Sequence, residues 1–125
     1  MKKVISTTKA PKPVGPYSQA IKAGKFLFIS GQLAIDPKEG RIIASDVKGQ
    51  TIRVLENIKA ILEAENYSLK DIINTNVYLA SIATFNDFNT VYAKYFDKDY
   101  PARATVGIAL MPNALVEISA IAYKE

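Results

Sequence analysis

Apolar residues change their spacing several times along the chain, and each change marks an element. In "AIKAGKFLFISGQ" the short apolar runs on either side of Ala23-Gly24-Lys25 predict two strands around a tight turn. "QLAIDPKEGRIIA" predicts a second hairpin, with Asp36-Pro37-Lys38-Glu39-Gly40 as its turn. The period then lengthens. Val47, Thr51, Val54, Leu55, Ile58, Ile61 and Leu62 fall on one stripe of a helix running from about Asp46 to Glu65, with Ser45 as its N-cap. "INTNVYLA" returns to alternation, Ile73, Thr75, Val77 and Leu79 against Asn74, Asn76, Tyr78 and Ala80, and predicts a strand. Thr84 with Asp87 three positions on resembles a capping box and opens a second helix. That helix carries an aromatic stripe, Phe85, Phe88, Tyr92, Tyr95 and Phe96, read here as core.

The last two strands carry the candidate chemistry. In "RATVGIAL", Ala104, Val106, Ile108 and Leu110 point one way, and Arg103, Thr105, Gly107 and Ala109 the other. In "LVEISAIAY", Val116, Ile118, Ala120 and Ala122 form one face, opposite Leu115, Glu117, Ser119, Ile121 and Tyr123. If the purely apolar face of each strand packs on the helices, Arg103, Thr105 and Glu117 share the other face. "TTKAPKPVGPYSQ" holds three of the six prolines and reads as an extended arm. Two helices cannot cover both sides of a sheet of about six strands. Leu115, Ile121 and Tyr123 should nevertheless not lie open to water, so another subunit is expected over that face, with Arg103 and Glu117 near the interface.

The 125 residues fit one domain, residues 1–125, and 49% apolar with 22% charged residues places the chain among folded globular proteins. There is no apolar run of membrane-spanning length and no secretory signal at the start, so a cytoplasmic location is expected. With no cysteine and no histidine, thiol nucleophiles, thiolate metal sites and Ser-His arrangements are excluded, and neither a metal nor a cofactor is expected. The net charge of +4 permits anionic ligands, but the lysines are scattered and no aromatic-basic motif appears, so nucleic acid is not the expected partner. Arg103 is one of only three arginines against thirteen lysines. Its planar fork of donors suits a carboxylate or phosphate in a way that a lysine does not.

With these residues placed, the chain resembles the RidA (YjgF-type) family of enamine/imine deaminases. The resemblance rests on "GPYSQA" at 15–20, "FISGQ" at 28–32, "FNTVYAKYF" at 88–96 and "YPARATV" with "LVEI" at 100–118. It implies a chorismate-mutase-like α/β (α+β) fold, a mixed six-stranded sheet with two helices on one face. It also implies a homotrimer with sites between subunits. The implied activity is hydrolysis of 2-imino acids such as 2-iminobutanoate and 2-iminopropanoate, released by pyridoxal-phosphate-dependent dehydratases, to 2-keto acids and ammonia. Arg103 matches the family's carboxylate-holding arginine, and Glu117 the glutamate that orients the attacking water. Tyr17, Ser30, Gly31, Asn89 and Thr105 match residues lining the pocket. Thr105 stands where some relatives have cysteine. The loop between Met111 and Leu115 is one residue shorter than usual in the family, which puts its shape and the placing of Glu117 in question.

Such a reaction needs little from the protein. A 2-imino acid is already electrophilic, so a clamp for the carboxylate, a carboxylate to orient water and a path for protons suffice. Two other readings use the same chain: a non-catalytic trimer that binds small carboxylates as a regulator, and an endoribonuclease or translation inhibitor. The last would have to use Lys or Glu for acid and base.

Overall fold

A computed structural model describes residues 1–125. Its strands are β1 (Lys2–Ile5), β2 (Ala20–Ala23), β3 (Phe26–Gln32), β4 (Ile72–Leu79), β5 (Ala102–Gly107) and β6 (Val116–Tyr123), and its helices are α1 (Val47–Glu63) and α2 (Phe85–Phe96). They form one sheet in the order β1-β2-β3-β6-β4-β5, in which only the β4–β5 pair is parallel. Both β3 and β4 run antiparallel to β6, so β3-α1-β4 and β4-α2-β5 are crossovers between strands of like direction, moving the same way across the sheet. Right-handed connections in one sense of travel put both helices on the same face. The expected mixed sheet with two helices on one side follows.

Between the layers lies an apolar core. Leu27, Ile29, Val116, Ile118, Ala120 and Ala122 of the sheet meet Val54, Leu55, Ile58, Ile61 and Leu62 of α1 and Phe88 and Tyr92 of α2, all buried. The α1 stripe read from the sequence is the buried one. Its cap sits one residue later than expected: Asp46, not Ser45, accepts the Gly49 N–H at 3.2 Å. Gly49 permits this, because a Cβ there would lie 2.7 Å from Asp46 Oδ1. The helix also stops before Glu65. Asn66 takes a left-handed φ of 64°, and the Tyr67 N–H returns to the Leu62 carbonyl, as in a Schellman closure.

Three further expectations change. The second hairpin reduces to a single bridge, Ile35 with Ile42. The turn is wound on Asp36, whose Oδ1 accepts from the Lys38 and Glu39 amides, while Asn57 of α1 takes the Leu33 and Ile35 carbonyls that a longer ladder would use. The sixth strand is instead β1, which pairs with β2. The capping box expected at Thr84 does not form. A 3₁₀ turn, Ile82–Thr84, leads straight into α2, and the Thr84 hydroxyl donates to the Ser81 carbonyl. In β4, an irregularity between Ile72 and Asn74 puts Ile72 in the core and leaves Ile73 exposed, contrary to the simple alternation.

The face of β5 is also reversed. Arg103 pairs with Thr75 and Thr105 with Val77, both of which point to the helices, whereas Glu117 pairs with Tyr78 on the far side. Arg103 and Thr105 therefore do not share a face with Glu117. Ala104, Val106 and Ile108 are the outward residues, all exposed. The inward side suits close packing, since a Cβ on Gly107 would already touch Ile82 Cβ at 3.4 Å. The arginine is accommodated there by aromatic rings of α2.

The cap assignment is directly testable. Asp46→Ala should lower stability by about 1 kcal/mol, the usual worth of an N-cap, while Ser45→Ala should be near neutral in the same thermal or urea unfolding measurement.

Candidate functional site

The expected site residues gather at two places. Around Glu117 is a hollow of about 400 Å³ whose lining includes Tyr17, Ser30, Gly31 and Glu117. Around Arg103 is a second, of about 310 Å³, lined by Asn89, Tyr92, Ala93, Tyr100, Pro101 and Arg103. The two share no residue. Thr105 lines neither, and its hydroxyl oxygen is enclosed without a hydrogen-bond partner in the chain.

A bulge in β3 builds the Glu117 hollow. Ile29 pairs with Ala120 and Gln32 with Ile118, so Ser30 and Gly31 together stand opposite Ser119. Ser30 turns its hydroxyl onto the Ser18 carbonyl at 2.6 Å, and its N–H goes to the Gln19 carbonyl. Ser30 thus ties the 15–20 segment to the sheet. Gly31 provides the space for the glutamate, since a Cβ there would fall on Glu117 Oε2. The Tyr17 N–H returns to the Gly15 carbonyl and its phenol oxygen accepts the Val14 N–H, so a tight turn presents the ring at the rim.

Glu117 is half-buried and has no hydrogen-bond or ionic partner in the chain. Desolvation alone pushes its pKa above the ordinary 4.5. A carboxylate held in this way is a stronger base than one in water, and suits proton exchange with a bound water.

Arg103 is held in a different manner. Its Nη1 donates to Asn89 Oδ1 at 2.9 Å. The guanidinium carbon lies 4.9 Å from the Tyr92 ring centroid and 5.6 Å from those of Phe85 and Phe88. Three rings of the aromatic stripe are therefore core and cation cradle together. Tyr92 is fixed in turn by a 2.8 Å bond between its hydroxyl and that of Thr75, and burial raises its pKa, so it stays neutral. Arg103 makes no ion pair in the chain, where the only such contacts join Lys3 and Lys22 to Glu65. Its remaining donors suit a carboxylate.

Sequence reasoning missed the residues that hold the loops around Glu117. Buried Gln19 accepts the Thr7 N–H and donates to the Thr7, Ala10 and Pro11 carbonyls, fixing the arm whose Pro11, Lys12 and Val14 line the hollow. Gln50 and Asn57 do the same from α1 for the 113–115 turn and the 33–35 segment. A signal was available: both amides fall on the apolar stripe of that helix. No three acidic side chains come together as a set that could hold a metal ion, and no helix is long and apolar enough to cross a membrane.

The raised pKa of Glu117 has a sign that can be checked. The folded state binds this proton more tightly than the unfolded chain does, so ionising Glu117 destabilises the fold as pH rises through the folded pKa. Glu117→Gln should have a higher Tm than wild type at pH 7, and the difference should vanish below the ordinary value of 4.5.

Comparison with known proteins gives the family and the fold. The model of the family described as Endoribonuclease L-PSP matches residues 7–124. A RutC family protein of Pyrococcus horikoshii is 60% identical over the full length of both chains. Human 2-iminobutanoate/2-iminopropanoate deaminase is 38% identical over 99% of this chain and 91% of its own. The crystal structure of RidA from Psychrobacter superposes with a TM-score of 0.93 at 43% identity, covering 98% of this chain and 99% of that one. The chain belongs to the YjgF/RidA family.

Proposed function

We propose that the protein is a 2-imino acid deaminase whose site is completed between copies of the chain. One observation carries the reading: a carboxylate-ready arginine and a desolvated glutamate lie in separate hollows on opposite faces of one sheet. Within one copy they cannot grip the same small substrate. The sheet face away from the helices exposes Val4, Phe26, Phe28 and Val106 and has no layer of its own over it, which favours a covering subunit. A homotrimer, as the family resemblance implies, would place the Arg103 hollow of one copy against the Glu117 hollow of the next. The activity named for the human relative supports the chemistry.

In this mechanism Arg103 clamps the carboxylate of the 2-imino acid through two N–H···O bonds, held flat by the three rings and by Asn89. Glu117 orients a water and accepts one of its protons as the oxygen adds to the imine carbon. The imine nitrogen takes up a proton from solvent, returned later as the hydroxyl proton, giving a tetrahedral carbinolamine. Return of the proton from Glu117 to nitrogen as the C–N bond breaks releases ammonia, and loss of the hydroxyl proton leaves the 2-keto acid. The desolvated carboxylate suits both proton transfers. Physiological substrates of the 2-iminobutanoate and 2-iminopropanoate type, from dehydratases, fit this scheme. A purely carboxylate-binding role would use Arg103 alone and show no turnover. RNA cleavage would rest on none of these features.

Keto-acid release from 2-iminobutanoate generated in situ tests the proposal, and no acceleration by the folded wild type would overturn it. Arg103→Ala should reduce kcat/KM roughly 100-fold, the loss of a charge-assisted clamp of about 3 kcal/mol. The acid limb of the wild-type kcat profile should lie above pH 4.5, where Glu117 gains its proton, and Glu117→Gln should abolish it. A charge on the open face should separate the copies. Phe28→Asp should reduce the mass measured by sedimentation to that of one chain, and activity should fall with it.

A further inference from the structure

The connection from β5 to β6 runs over residues 108–115, and one buried side chain bonds both ends of its last turn. Gln50 of α1 is 1% exposed. Its Nε2 donates to the Ala44 and Asn113 carbonyls, each at 2.9 Å, and its Oε1 accepts the Leu115 N–H at 2.8 Å. Asn113 has a left-handed φ of 70°, the Ala114 N–H returns to the Met111 carbonyl, and the Leu115 carbonyl accepts the Ala80 N–H. The turn thus hangs between α1 and the end of β4. Leu115 stands two residues before Glu117.

Nothing in the chain bonds the Glu117 carboxylate directly. Its place is set by the start of β6, where Glu117 pairs with Tyr78 of β4, by the backbone that leads into that strand, and by the gap left by Gly31, which is too small for even a methyl group. A shift of the 113–115 backbone therefore moves the carboxylate or presses it onto Gly31. Both donors of the Gln50 amide are used, so no other neutral side chain of similar size reproduces the set.

We propose that Gln50 is the positioning residue for Glu117, setting the carboxylate through the 113–115 turn. This rests on the reading of Glu117 as the group that orients water. Gln50 itself touches no reacting atom. Its contribution is to hold that carboxylate within the fraction of an ångström that proton transfer to water requires.

The test compares Gln50→Met, which removes all three bonds, and Gln50→Glu, which keeps only an acceptor for Leu115, each alone and combined with Glu117→Gln. Ile58→Val, in the buried stripe of the same helix, controls for general loosening of α1. On 2-iminobutanoate, Gln50→Met should lower kcat roughly 10- to 100-fold while KM stays near wild type, as expected for a displaced base beside an intact carboxylate clamp. Gln50→Glu should lose less, and Ile58→Val should keep kcat. In the Glu117→Gln background neither Gln50 change should lower kcat further. NMR titration of the Glu117 carboxyl should give a midpoint closer to the ordinary 4.5 in the Gln50 variants, as the loosened turn admits water. Equal losses in both backgrounds, or a rise in KM without loss of kcat, would overturn the proposal. If Gln50→Met does not fold, Gln50→Glu decides by the same comparison. If wild type shows no turnover, the deaminase reading fails. The titration then decides alone, and an unmoved midpoint in a folded variant rejects the role of Gln50.

Discussion

Everything in this molecule follows from a sheet whose two crossovers travel in the same direction. Right-handed connection then sends both helices to one side. The other side is left with β-branched and aromatic side chains and no layer of its own. A six-stranded sheet of this kind has one finished face and one unfinished face, and the two candidate groups are divided between them. Arg103 belongs to the finished face, beneath α2, and Glu117 to the unfinished one.

The division matches what each group needs. A guanidinium is weakly hydrated and tolerates aromatic surroundings, so Phe85, Phe88 and Tyr92 can hold it flat without neutralising it. A carboxylate has no such partner in an apolar wall. Glu117 instead occupies the gap made by the Ser30-Gly31 bulge, and its shifted pKa records the lost water. Had both sat on the same face a few residues apart, they would have formed an ion pair and satisfied each other. On opposite faces of one sheet, neither group neutralises the other within the chain.

Much of the fold could be read from the chain. The α1 stripe, the turn at Gly24 and the alternation of β6 are local patterns, and packing followed them. The failures came where tertiary partners intervened. Asn57 took the carbonyls of the expected second hairpin, and the 3₁₀ turn before α2 removed the need for a cap at Thr84. Orientation of β5 was misread because an edge strand between arginine and glycine offers two faces, and the more apolar one was assigned inward. Only the rings of α2 show why the arginine side wins. Tyr17, Ser30, Gly31 and Glu117 lie around one hollow, and Arg103 and Asn89 around another, where the resemblance implied a single pocket. The Ser30 hydroxyl and the Asn89 amide oxygen are committed to protein partners, and Thr105 turns its hydroxyl inward. Of the amides that shape the hollow, Gln50 and Asn57 betray themselves by falling on the apolar stripe of α1, whereas Gln19 precedes a strand and looks like an ordinary polar position until its partners are known.

Gln19 gives the N-terminal arm a particular kind of stability. Four contacts to residues 7–11 converge on one side chain that is 3% exposed, while most of the arm that follows, up to Tyr17, lies at the surface. Such a segment does not fray residue by residue. It opens when the amide releases it and closes when the amide recaptures it, as a small cooperative unit with its own free energy below that of the whole fold. The protection of the Thr7 amide proton, bound directly to Gln19, therefore reads the free energy of opening one wall of the Glu117 hollow.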